Sequence, residues 1–241
     1  MNAMVREEFV ELGLSVPTDF LTQWASSQID AAKGRESRLE LRGLSPSYLT
    51  DLRELVERVG RGHEGLGGGQ ALPPPEGQMA ERLRAEALEY WREAKRIARV
   101  AFASDPDNLA RFRTGVQTGL LIMNLVRELE SMLVLLREHS GVLARFGANE
   151  DFIGKGASLV LRLRAAKTEM DAACRELPPA ALQQFHDKGV LYDRTRQLVR
   201  VGRLEFHLDP EQASRFNFKL VRRDRATAKR SRIKNSRPEG R

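Results

Sequence analysis

The chain has 241 residues, a formal net charge of +7 and one cysteine, Cys174. One cysteine excludes an intrachain disulfide and points to a reducing compartment. The charge is segregated: Lys219 to Arg241 holds ten basic and two acidic residues, a balance of +8, and the rest holds 30 basic and 31 acidic, a balance of −1. The body is therefore nearly neutral, and a basic-domain reading of the whole chain is excluded.

The first residues reach Glu7 and Glu8 without a basic start and apolar run, so no signal peptide is expected and the expected location is cytoplasmic. Val16-Pro17-Thr18-Asp19 opens a short helix over about 17–33, with Phe20, Leu21, Trp24, Ala25 and Ile29 on its buried side and Gly34 at its end. Arg38-Leu39-Glu40-Leu41-Arg42 alternates polar and apolar, a strand period over a short length. Ser45-Pro46 starts a second short helix over 45–59, with Leu49, Leu52, Val56 and Val59 on one face.

Residues 61–78 read as a linker, with Gly62, Gly65, Gly67, Gly68 and Gly69 followed by Pro73-Pro74-Pro75. The glycines are not a phosphate loop. No apolar strand precedes them, and no Lys-Ser or Lys-Thr follows. A long helix is then expected over 79–104, with Tyr90 and Trp91 as core aromatics.

Asp105-Pro106 begins the most apolar helix, expected to run to Glu138. Leu109, Phe112, Val116, Leu120, Met123 and Val126 form one row, and Ile122, Leu125, Leu129, Met132 and Leu136 a second, too wide a surface for a single seam. A membrane span is excluded by Arg127, Glu128 and Glu130, since each ion at mid-bilayer costs about 3 kcal/mol. Asn149 caps a helix over 149–177, and Pro178-Pro179 starts another over 179–201, whose middle Gly189 weakens. Arg203-Leu204-Glu205-Phe206-His207-Leu208 alternates again and echoes 38–42, and Asp209-Pro210 caps a last turn.

These elements predict an all-α chain: an antiparallel bundle of about four long helices, two short N-terminal helices, and one short two-stranded ribbon pairing 38–42 with 203–208. The expected division is a 1–60 helical segment packed on the bundle, a 61–78 linker, a 79–218 bundle and a 219–241 tail.

No catalytic or metal-binding pattern accompanies this fold. His63, His139, His186 and His207 have no partner at ligand spacing, and neither Cys-x-x-Cys nor a Gly-x-Ser-x-Gly elbow occurs. His186 and Asp187 are adjacent on a helix and are expected to point apart. No cofactor and no enzyme activity are expected. The tail carries the functional reading. Arg222, Arg223, Arg225, Lys229, Arg230, Arg232, Lys234 and Arg237 are the candidate contacts to a polyanion, most plausibly nucleic acid. Cations release counterions from phosphates without reading sequence, and the absence of aromatics after Phe218 argues against base stacking. The alternative is an assembly subunit that self-associates or binds a partner protein through apolar helix faces, its tail only solvated. A third reading is an enzyme with an unrecognised site.

Overall fold

The computed structural model describes residues 6–65, 75–112 and 121–217. The described residues are helical, with no strand among them. The helices are α1 (Arg6–Ser15), α2 (Thr18–Ala32), α3 (Glu36–Glu40), α4 (Tyr48–Gly65), α5 (Pro75–Ala101), α6 (Pro106–Phe112), α7 (Ile122–Glu138), α8 (Ser140–Leu143), α9 (Glu150–Arg175), α10 (Pro179–Glu205) and α11 (Pro210–Arg215). A 3-10 turn, Ala144–Phe146, follows α8.

Three starts follow from local chemistry. The Asp105 carboxylate accepts from Asn108 N at 3.0 Å, Asn149 Oδ1 from Phe152 N at 3.0 Å, and Asp209 Oδ1 from Gln212 N at 3.0 Å. Each satisfies an amide that the first helical turn leaves unpaired. Gly34 and Gly147 take φ +74° and +101°, the left-handed region that ends a helix at least cost on glycine.

The chain forms two compact units, one of 1–71 with 183–241 and one of 72–182. In the second unit, α5, α7 and α9 pack on one another. Leu125, Leu129, Leu136 and Leu163 are fully buried there, and Tyr90 stacks on Phe152 with centroids 4.5 Å apart. Helix α7 begins at Ile122, and Leu121 before it is extended (φ −73°, ψ 129°), so the single helix expected over 106–138 is interrupted. Gly115 and Gly119 precede that point in sequence, and glycine disfavours a helix interior. Residues 113–120 lie outside the described ones.

In the first unit, α1, α2 and α4 pack with α10 from Gln183 onward. The expected bundle over 79–201 groups α10 with α5, α7 and α9, whereas from Gln183 onward α10 is assigned to the first unit. Two glycines explain its choice. A Cβ on Gly13 would lie 1.8 Å from the Phe185 carbonyl oxygen, and a Cβ on Gly189 would lie 1.9 Å from that of Phe9. The α1 and α10 backbones therefore touch at a reciprocal pair of Phe-x-x-x-Gly sequences, antiparallel at the crossing. Gly189, expected to weaken the helix, is where its partner approaches. Helix α4 continues past Gly60 to Gly65, into the stretch expected as linker, and α5 starts at Pro75; residues 66–74 lie outside the described ones.

The expected ribbon is corrected. Residues 36–40 and 203–205 are α-helical, and Phe206 N still bonds Gly202 O at 3.0 Å. Only one residue of each alternating set is buried, Leu39 and Phe206, whereas Leu41, Leu204 and Leu208 are 86%, 59% and 86% exposed. A strand would bury such residues on one common face; a helix turns them apart. The two stretches nonetheless meet through their side chains.

Candidate polyanion interface

The eight tail residues Arg222, Arg223, Arg225, Lys229, Arg230, Arg232, Lys234 and Arg237 lie outside the described residues. The root from which the tail departs is described. Phe216 is fully buried, and its ring lies parallel to that of Phe206 within 7°, centroids 5.7 Å apart. Gly202 makes room for it, since a Cβ there would lie 2.3 Å from Phe216 Cδ1. Asn217 is held by main-chain bonds: Trp24 Nε1 donates to its carbonyl at 3.0 Å, and its N–H donates to Gln28 Oε1 at 3.2 Å. Trp24 and Gln28 are buried on α2, one turn apart. In sequence, the basic stretch thus begins two residues beyond a pinned position, at Lys219.

Beside that root the structure gathers three guanidinium groups. Arg35, Arg38 and Arg42 are spaced by three and four residues, the interval that returns to one side of a helix. Arg38 Nε donates to Glu205 Oε1 at 2.8 Å and Arg42 Nε to Oε2 at 2.6 Å, so one carboxylate serves two cations. The hydrogen bonds from Arg42 and then Arg38 hold the Glu205 carboxyl below the usual carboxylate range. Among the described residues, Arg35 reaches neutral acceptors: Gln212 Oε1 at 2.6 Å and the carbonyls of Ala31 and Lys33. Arg38 stands 4.6 Å above the Phe206 ring, and Phe216 covers that ring as well. Sequence reading missed this cluster because it assigned Arg38 and Arg42 to a strand; their spacing with Arg35 was the available signal.

The same unit holds a second polar group. Arg58 Nε and Gln183 Nε2 each donate to Asp187 at 2.8 Å, tying α4 to α10. His186 Nδ1 comes within 3.5 Å of Asp187 Oδ1, nearer than expected for neighbours on a helix. With its carboxylate shared in this way, Asp187 is a structural tie. Lys188 is buried beside the Phe185 ring, and desolvation lowers its pKa to about 8.

No protein-family model matches the chain, and no curated protein and no solved structure matches it. Among the described residues, no group of three or more His, Cys, Asp or Glu is placed to hold a metal ion. No helix among them is long and apolar enough to cross a membrane.

Proposed function

We propose that this chain is a non-enzymatic interaction protein whose helical body presents an Arg/Lys-rich C-terminal arm to a polyanion, nucleic acid bound through its backbone without sequence preference. The observation that carries the reading is charge segregation: a balance of +8 within residues 219–241, against −1 for the rest of the chain. Cations concentrated in this way neutralise several phosphates and release their counterions, a term independent of base identity. The pinned root at Phe216 and Asn217 supports the reading, because it fixes the point at which the basic stretch joins the folded body.

The test is titration of the full chain with labelled DNA duplexes of unrelated sequence and with single-stranded RNA. Affinities that vary little among sequences of one type are expected. A strong preference for one sequence, or no binding near physiological salt, contradicts the proposal.

A further inference from the structure

The arginine cluster at the root of the arm is a candidate site in its own right. Of its three guanidiniums, Arg38 and Arg42 share a single carboxylate, Glu205, and Arg35 donates to the neutral Gln212. Counting only these groups, the cluster has an excess of two positive charges. Arg38 and Arg42 keep 59% and 44% of their side-chain surface in water, so the excess faces outward. Half-buried Glu36 and exposed Glu40 also lie on α3 but are offset along the helix from the arginine row, one position after Arg35 and two after Arg38. The cluster is preorganised from both sides. Glu205 fixes two guanidiniums, Gln212 fixes the third, and Phe206 backs Arg38.

Its position gives it a ligand. Phe206 is covered by Phe216, and the chain continues from Phe216 through Asn217 into the basic stretch. A polymer held by the arm presents further phosphates to groups at its root at high effective concentration. Guanidinium forks suit phosphate oxygens, which accept paired N–H donors.

We infer that Arg35, Arg38 and Arg42 form a folded phosphate-binding site, continuous with the arm, that takes the sugar–phosphate backbone of the same nucleic acid. The inference rests on the proposed function above, and deepens it by moving part of the interface onto the helical body.

The test uses the full chain, a labelled mixed-sequence DNA duplex and a salt series, with thermal unfolding recorded for every variant. R35Q/R38Q/R42Q is expected to bind more weakly, with a salt slope shallower by up to about 2.7, since each of three phosphate contacts contributes about 0.9. R35K/R38K/R42K, which keeps the charges, is expected to retain the wild-type slope. A wild-type slope in the Gln variant overturns the inference while leaving the arm's role intact. A Lys variant with a slope as shallow as the Gln variant's also overturns it, because the retained charges would then neutralise no phosphate. If the wild-type chain does not bind, this inference and the proposed function fail together.

Discussion

Gly13 and Phe185 are in backbone contact: a Cβ on Gly13 would stand 1.8 Å from the Phe185 carbonyl oxygen. No rotamer change relieves a clash with main chain. Gly13→Ala must separate α1 from α10, and is expected to destabilise the chain by about 2 kcal/mol or more. Gly189→Ala acts on the same crossing from the other helix, so the two losses should not add. Gly154→Ala is the control: nothing lies within 4 Å of its added methyl, inside α9, and it is expected to stabilise by roughly 0.5–1 kcal/mol. Denaturant titration of the three variants checks the ranking; a neutral Gly13→Ala would contradict the close crossing.

Lys188 makes stability depend on alkaline pH. Its pKa falls from the ordinary 10.5 to about 8 because burial disfavours the ammonium, with Asp19 opposing the shift. Between those values the unfolded chain binds a proton that the native chain does not, so stability rises with pH across the window. Below about 8 both states are protonated and the native state carries the whole penalty, roughly 3 kcal/mol at 1.4 kcal/mol per pKa unit. Lys188→Met is expected to unfold at higher temperature at neutral pH and to lose the rise between pH 8 and 10.5. A variant with unchanged pH dependence would assign the rise to other groups.

Tyr90 carries a buried hydroxyl with no hydrogen-bond partner among the described residues, and the hydroxyl oxygen lies 2.3 Å from where a Cβ on Gly156 would be. Burial raises its pKa. Removing an unpaired buried group costs no bond and ends its desolvation penalty. Tyr90→Phe is expected to be neutral or to stabilise by up to about 1 kcal/mol. Gly156→Ala, which drives a methyl into the same ring and into Leu133, is expected to destabilise strongly. Thermal unfolding of both variants decides; a large loss in Tyr90→Phe would reveal a partner for the hydroxyl.

Trp24 is the main-chain clamp at the root of the arm. Trp24→Phe keeps the apolar burial but removes the donor to the Asn217 carbonyl, at a cost of about 1 kcal/mol. Amide exchange at Asn217 is expected to speed up more than exchange in α9. Equal effects at both places would mean that the clamp does not act locally.

Much of the helical content was legible in the sequence where one local interaction decides it. Asp105, Asn149 and Asp209 each cap a helix as their position before Pro106, Glu150 and Pro210 implies. The rows Leu125–Leu129–Leu136 and Leu163–Ala166–Met170 are buried as their spacing implies. What was not legible depends on partners distant in sequence. Gly189 reads as a weak point in α10 until Phe9, 180 positions away, is seen against it. Alternation over 38–42 and 203–208 mimics a strand because five residues sample too little of a helix to show its period. The cluster of Arg35, Arg38 and Arg42 escaped notice for the same reason, since its carboxylate, Glu205, is contributed by a distant helix.

The most direct measurement of the central claim is the salt dependence of nucleic acid binding by the full chain. It is compared with a full-length variant in which Arg222, Arg223, Arg225, Lys229, Arg230, Arg232, Lys234 and Arg237 are all glutamine. The account predicts a steep negative slope of log affinity against log salt for the wild type, and a slope falling toward zero in the variant. Equal slopes and equal affinities in the two proteins would contradict it and remove the arm from the interface.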